Sequence, residues 1–515
     1  MSGHLLSVLI ASPLVGACAL LFVPGRARLA IRWIALGSAI PTVAAAAAVA
    51  LGYDVARGGF QFDERVAVVP SLGISYHLAV DGISVALVVL TAVIYLTAIF
   101  TSWTLHERDK EFFLFLALLV AGVFGVFVSL DLFLLFLFYE LAVLPMYVLI
   151  GVWGSSMDVP GRGPFRRAFD AVRVGTKEYG AMKLTLYLLA GSAFILVGLF
   201  RLWVESAEQL PNPTFDWTAL VHLDVAPDLG RVLFVLFYVG FGVLAGIWPF
   251  HTWSPDGHAS APAAGSMMHA GVLMKLGAYG VLRVGFGLLP EAGRELAWLV
   301  GTVAVINIVY GAIAAGWQTD IKYLIAYSSV SHMGIVMLGM ATLTGPGVAG
   351  SVFQMVSHGL MTALLFTLVN LVYHKTHVRD MTRMGGFAHV MPGLATFFVI
   401  AGLTSLGLPG LSGFVAEFLV FLGAWESAHP WWLFPAVLGA LITAVYVLRA
   451  VRAMFFGPRP EPPIHGGDLD LVRSEWLTPV VLTAVLVMLG VWPRLILDTI
   501  DAGVADLLAI LGAVR

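Results

Sequence analysis

Apolar runs of 18 or more residues recur along the whole of this 515-residue chain, and no other feature restricts its fold so severely. Each run can cross the ~30 Å hydrocarbon core of a bilayer. Lipid offers no water to unpaired backbone groups, so a spanning run must close its hydrogen bonds within itself, as a helix. The alternating period of a membrane β-barrel is absent. The expectation is an all-α integral membrane protein of about fourteen transmembrane helices. The spans read at roughly 3–23, 31–52, 79–103, 112–130, 132–153, 179–203, 231–249, 262–287, 296–316, 322–342, 348–373, 390–422, 431–454 and 477–498. The tail 503–514 is apolar but too short to cross.

Composition agrees. Charged residues make up 11% of the chain, against roughly 25% in a soluble domain, which overrules the several soluble domains that length alone suggests. No basic patch with interleaved aromatics is present, so nucleic acid is not an expected partner. The single cysteine, Cys18, excludes an internal disulfide and a cysteine-held cluster, and reads as packing. The N-terminus lacks the basic start of a signal peptide, so the first run is expected to be a retained span.

Basic residues give the orientation, because cytoplasmic loops are enriched in Lys and Arg. With the N-terminus outward, the odd-numbered connections face the cytoplasm. They carry Arg26, Arg28 and Arg32; Arg108 and Lys110; Arg162, Arg166, Arg167, Arg173 and Lys177; Lys375, Arg379 and Arg383; and Arg449, Arg452, Arg459 and Arg473. The outward connection at 204–230 is acidic instead, with Glu205, Glu208, Asp216, Asp224 and Asp228. Both termini are therefore expected outside. The longest polar connections, 154–178, 204–230 and 456–476, are too short for a catalytic domain.

Two spans look interrupted, at Gly246-Ile247-Trp248-Pro249 in the seventh and Leu406-Gly407-Leu408-Pro409-Gly410 in the twelfth. Proline removes a backbone donor and clashes with the preceding turn. Breaks five spans apart suggest inverted five-helix repeats around a midplane ion site; simple packing kinks are the plainer alternative.

A charge at the bilayer centre is costly and marks function by default. Glu140 lies mid-span in the fifth run, Lys275 at the centre of the eighth, and Glu417 just past the break in the twelfth. Lys183 lies a turn inside the sixth and could instead snorkel to the interface. His332, His358 and His269 add groups that titrate near neutrality, although a membrane histidine can simply hydrogen-bond a neighbouring helix. A buried lysine loses proton affinity by desolvation and regains it beside a carboxylate, so a moving carboxylate can load and unload it. Such a row suits proton translocation. The run from His251 to His258, with Asp256, reads as a turn or a proton inlet at the cytoplasmic end of the seventh span rather than a metal site. No phosphate-binding glycine loop, metal-ligand spacing or nucleophile elbow is present.

These motifs resemble the antiporter-like subunits of respiratory complex I, the M type most closely. The resemblance rests on Trp248-Pro249-Phe250-His251-Thr252-Trp253 with Pro255-Asp256 and His258, and on Gly271 to Gly280 around Lys275. It rests also on Ala326-Tyr327-Ser328-Ser329-Val330-Ser331-His332, Asp81-Gly82-Ile83-Ser84, Phe138-Tyr139-Glu140, and Pro409-Gly410 through Glu417. It covers roughly residues 75–455. It implies fourteen helices, two inverted five-helix repeats and broken helices seven and twelve. The implied divisions are 1–111, 112–290 (first repeat), 291–455 (second repeat) and 456–515. It implies a proton-translocating subunit of an NADH:quinone oxidoreductase in a bacterial-type inner membrane. It carries Glu140, Lys275, Glu417, His332 and His358 over as the proton path, with Lys183 beside them. It implies no cofactor in this chain, with NADH, FMN, iron–sulfur clusters and quinone in partner subunits, and L-, N- and K-like membrane chains as those partners. One departure stands out. Aligned on Pro249, the lysine usual in the family's seventh span falls on Leu244, and its first proline on Gly246. Either a histidine such as His269 takes that lysine's place, or the chain is a paralogue with impaired pumping. A cation/proton antiporter or hydrogenase subunit, a purely structural membrane subunit and a lone solute carrier are the competing readings.

Overall fold

The computed structural model describes residues 4–157, 173–458 and 469–512. Arg162, Arg166, Arg167 and Arg459, part of the charge argument, lie outside the described residues. The chain is predominantly helical. Its helices are α1 (Leu5–Leu21), α2 (Arg28–Gly52), α3 (Gly82–Thr101), α4 (Asp109–Val128), α5 (Leu132–Trp153) and α6 (Lys177–Gln209). They continue as α7a (Pro227–Ala245), α7b (Trp253–Ser260), α8 (263–286), α9 (Pro290–Trp317), α10 (Ile321–Ala341) and α11 (Gly345–Thr376). The chain closes with α12a (Pro392–Ser405), α12b (Ser412–Glu426), α13 (Leu433–Val451), α14 (Leu477–Val491) and α15 (Arg494–Ile510). Among the described residues, 11 helices are long and apolar enough to cross a membrane.

The all-α expectation needs one correction. Between α2 and α3 the chain forms an antiparallel hairpin, β1 (Gln61–Val69) with β2 (Ile74–Val80). Arg65 pairs with His77 and Val66 with Tyr76, the register shifts at two places along β1, and Gly73 at the turn has φ 68°. The expected third span began at 79, but Ala79 and Val80 complete the hairpin. Asp81 then caps α3, accepting from Ser84 N at 2.9 Å. At the other end, the expected span 477–498 is two helices. Pro493 ends α14, and α15 packs along α3 and α11. The approach is so close that a Cβ on Gly82 would lie 1.9 Å from the carbonyl oxygen of Thr499. Cys18 is exposed on α1 rather than packed.

Loop contacts fall into two sets. In one, Ser75 N donates to Asp131 at 2.7 Å, and His77 bridges Asp216 and Asp63 at 2.8 Å each. Arg65 also pairs with Asp216 at 2.7 Å. In the other, Trp153 Nε1 donates to the Glu107 carbonyl at 2.7 Å, Arg379 pairs with Asp320 at 2.9 Å, and Lys375 pairs with Glu475 at 2.9 Å. The first set joins connections expected outside, and the second joins connections expected in the cytoplasm.

Both expected interruptions are present, but glycine rather than proline turns the chain. Gly246 (φ 73°) ends α7a and Gly407 (φ 72°) follows α12a, each in a left-handed conformation that costs other residues ~1–2 kcal/mol. Asn307 of α9 braces the first break, accepting from Trp248 N at 2.8 Å while donating to the Val330 carbonyl of α10 at 2.8 Å.

Candidate functional site

The polar row begins on α8. Sequence periodicity reads this span as one regular helix, but it contains two π-helical turns, His269–Leu273 and Val281–Phe286. Such turns are rare and concentrate at functional sites. Just past the first, Lys275 is fully buried, and its Nζ donates to the Ala270 carbonyl at 2.5 Å.

Two glycines then set the distance to α11. A Cβ on Gly359 would lie 2.6 Å from the Gly271 carbonyl, and one on Gly271 would lie 3.2 Å from the Gly359 carbonyl. Small residues let membrane helices cross this closely. The crossing puts His358 beside Lys275, whose Nζ lies 2.7 Å from His358 Nδ1. While Lys275 is an ammonium it only donates, so Nδ1 then accepts and carries no proton.

From His358 the row continues to His332 of α10, with ring centroids 5.3 Å apart. His332 Nδ1 lies 3.6 Å from Glu417 Oε1 and 3.2 Å from Gln354 Nε2, and His332 Nε2 is 3.1 Å from Ser405 Oγ. Glu417 occupies the pocket left by the break in α12. A Cβ on Gly407 would sit 2.7 Å from its Oε2, so Gly407 supplies both the turn and the room. Lys275, His358, His332 and Glu417 thus form one buried row across α8, α11, α10 and α12b.

The other expected residues do not join it in the same way. Glu140 is half-buried and faces the Ser192 hydroxyl of α6. Lys183 does not snorkel; its Nζ pairs with Asp256 Oδ2 at 2.7 Å, and Tyr323 OH donates to Asp256 Oδ1 at 2.9 Å. Lys183 and Ser192 are nine residues apart on one helix, a rise of ~13 Å, so Glu140 and Lys183 sit at different depths. Leu244 is fully buried at the end of α7a.

The segment from His251 to His258 is not a terminal turn, because a short 3-10 turn at Phe250–Thr252 leads directly into α7b, which is mostly buried. His251 packs against Tyr310 with centroids 4.9 Å apart. His258 packs against His269 at 4.2 Å, and His269 against Trp253 at 5.0 Å. Among the described residues no group of three or more His, Cys, Asp or Glu is arranged to hold a metal.

Sequence reasoning missed three buried cations, Arg283, Lys322 and Arg379. Arg283 pairs with Asp81 and lies over the rings of Phe60, Trp217 and Tyr279, at 5.1, 5.5 and 5.4 Å, tying α8 to the cap of α3. Its position eight residues after Lys275 in the same apolar run was a usable signal. Lys322, with Nζ 3.2 Å from the Ala261 carbonyl, and Arg379 with Asp320 lie near helix ends, where the composition of the span hides them.

Residues 172–443 match the family described as NADH:quinone oxidoreductase/Mrp antiporter, transmembrane. A NAD(P)H-quinone oxidoreductase chain 4 of Nostoc sp. is 37% identical over 512 residues, covering 98% of this chain and 91% of the relative. The NADH-quinone oxidoreductase subunit M of Rickettsia prowazekii is 35% identical over 480 residues, 92% of each chain. Among solved structures, a chain of respiratory complex I from Thermus thermophilus superposes with a TM-score of 0.85 at 25% identity. The match covers 99% of this chain and 100% of that one.

Proposed function

The chain belongs to the NADH:quinone oxidoreductase/Mrp antiporter membrane family, and from that membership we propose that it is the M-type membrane subunit of a complex I-type enzyme. It moves protons through a buried Glu, Lys and His path, and redox chemistry in other subunits drives it. NADH, FMN, iron–sulfur clusters and quinone belong to those partners, which include L-, N- and K-like membrane chains. The row Lys275–His358–His332–Glu417 carries the reading. It offers alternating groups that can hold a proton, and apolar packing shields them from competing water.

The steps follow from this geometry. Lys275 passes a proton to His358 Nδ1, the nitrogen that accepts from it. The imidazole releases its other proton toward His332, and His332 delivers to Glu417 across the gap at Nδ1. A buried charge is stabilised only while a partner faces it. A shift of the Glu417 carboxylate therefore changes the proton affinity of the whole row. Glu140 and the Lys183–Asp256 pair serve the loading side.

The membrane arrangement is fourteen crossings. The 11 spans that qualify by length and apolarity are joined by α1, α8 and the α12a–α12b pair. Inverted repeats of α4–α8 and α9–α13 account for breaks five helices apart, within divisions at 1–111, 112–290, 291–455 and 456–515. The site is a bacterial-type inner membrane, with the hairpin loop set and both termini outside.

Two other readings keep a footing. The family description also names an antiporter, so a cation/proton antiporter or hydrogenase assembly is the alternative. A paralogue with impaired pumping is favoured by Leu244 and by the absence, among the described residues, of an ion pair to Glu140. The test is to tag the chain, extract it in mild detergent and identify co-purifying subunits by mass spectrometry. Flavin and iron–sulfur NADH-oxidising subunits support the proposal; hydrogenase or antiporter subunits in their place overturn the assignment of the electron source.

A further inference from the structure

α8 departs from a regular α-helix twice, and each time a side-chain donor engages a carbonyl of the π turn. At His269–Leu273 the donor is Lys275 itself, whose Nζ lies 2.5 Å from the Ala270 carbonyl. At Val281–Phe286 the donor comes from outside the helix. Trp217, in the connection between α6 and α7a, donates from Nε1 to the Arg283 carbonyl at 3.0 Å. Lys275 therefore stands between two π turns, one tied to its own amine and the other to a remote part of the chain.

The second turn is fastened further by the Arg283 side chain. It pairs with Asp81, the cap of α3, and lies over the rings of Phe60, Trp217 and Tyr279. Arg283 Nε donates to Tyr279 OH at 3.3 Å. The same hydroxyl meets Ser84 Oγ of α3 at 3.0 Å and donates to the Phe127 carbonyl of α4 at 3.3 Å. Lys275 and Tyr279 are four residues apart in a regular α-helical stretch and share one side of α8. A buried ion pair is a poor device for stability alone, because apolar side chains of similar volume usually serve as well; its best-attested use is to fix register. Register matters here. An α-helix winds ~100° per residue, so a π turn that relaxed to α-helix would rotate Lys275 by about that much relative to the outer end of α8 and carry its amine away from His358.

We propose that Arg283, together with Trp217, is a positioning residue for Lys275: by holding the second π turn it fixes the rotation of α8 at which Lys275 Nζ meets His358 Nδ1 at 2.7 Å. Arg283 carries no proton along the row, since a guanidinium stays protonated. Its part is to anchor the outer end of α8 to α3, α4 and the α6–α7a connection, so that only the Lys275 end answers to changes of charge. This inference rests on the reading of Lys275 as the proton-holding centre of the row.

The test uses the whole complex in proteoliposomes, measuring protons moved per NADH oxidised over a series of pH values, with assembly checked on native gels. Arg283→Met combined with Asp81→Asn removes the pair without stranding either charge, and the asparagine keeps the cap of α3. Trp217→Phe removes only the bond to the π-turn carbonyl. In assembled complexes, the double variant should lose more than half of the proton yield that Lys275→Met loses, and the pH profile of the remainder should be displaced. Trp217→Phe should displace the profile in the same direction by less. A pair that only stabilises the fold lowers the amount of complex but leaves the yield per assembled complex and its pH profile unchanged, and that result overturns the assignment. If the double variant fails to assemble, Trp217→Phe decides by the same two readouts. Lys275→Met separates the two levels. Normal pumping there removes the premise, whereas lost pumping there, with yield and pH profile normal in the double variant and in Trp217→Phe, removes the positioning role alone.

Discussion

The two halves of the membrane bundle treat their buried charges differently. Around α8, α10, α11 and α12b, Lys275, His358, His332 and Glu417 lie in one run of short distances. Around α5, α6 and α7, Glu140 faces Ser192 while Lys183 faces Asp256 at another depth, and Leu244 fills the space near the α7 break. Continuity in one half comes from close helix crossings. Gly271 against Gly359 joins α8 to α11, and Gly407 opens α12 for a carboxylate. The other half has close crossings as well, for a Cβ on Gly191 of α6 or Gly240 of α7a would lie 2.8 Å from the other's carbonyl oxygen. They leave Glu140 and Lys183 with separate partners, so a close crossing joins ionisable residues only where those residues stand at it.

The largest effect that would break this contrast is at Lys275. Lys275→Met, close in volume and free of a charge needing a partner, should assemble and abolish the protons carried by this chain, read as acidification of inverted vesicles per NADH oxidised. Next, Glu417→Gln should lose more of that pumping than Glu140→Gln, because only Glu417 closes a continuous row; equal losses would show that the two halves work alike. Leu244→Lys places a cation near the α7 break and should raise the protons moved per NADH if the first half is impaired. An unchanged stoichiometry counts against impairment.

Smaller effects sharpen the structural side. Gly407→Ala forces a left-handed residue and pushes a Cβ toward Glu417. It should cost ~1–2 kcal/mol, visible as faster thermal inactivation. The least effect is expected at the hairpin. Burial works against the His77 cation, but Asp216 and Asp63 outweigh it and lift its pKa above the ordinary 6.5. Its contribution is complete below 6.5 and fades as pH rises through the lifted value. For Asp216, burial works in the opposite direction, but His77, Thr218 and Arg65 hold its carboxyl below the ordinary 3.8. Its contribution is complete above 3.8 and is lost as pH falls through the lowered value. The hairpin should therefore be held best between about 3.8 and 6.5 and be cleaved faster by added protease at pH above that window. His77→Phe should remove this dependence on pH.

Some of the site was legible before folding because lipid makes charge conspicuous. Lys275 and Glu417 stand out in runs where every neighbour is apolar, His332 follows the serine-rich turn Ser328-Ser329-Val330-Ser331, and His358 follows Gln354-Met355-Val356-Ser357 on another long apolar helix. Arg283 and Lys322 did not stand out, because one is neutralised by Asp81 far away in sequence and the other sits at a helix mouth. The hairpin escaped notice because its strands, nine and seven residues long, are short beside the long apolar runs and do not alternate cleanly between buried and exposed positions.

By itself the sequence determined that the chain is a bundle of membrane helices, where the helices break and which buried side chains can hold a proton. Hydrocarbon permits few backbone solutions and penalises every charge, so those properties are local. Only the tertiary structure decided which charges meet. Pairing depends on rotation, depth and crossing distance between helices remote in sequence, and these were fixed by small residues such as Gly271, Gly359 and Gly407, whose role appears only when another backbone or side chain comes against them.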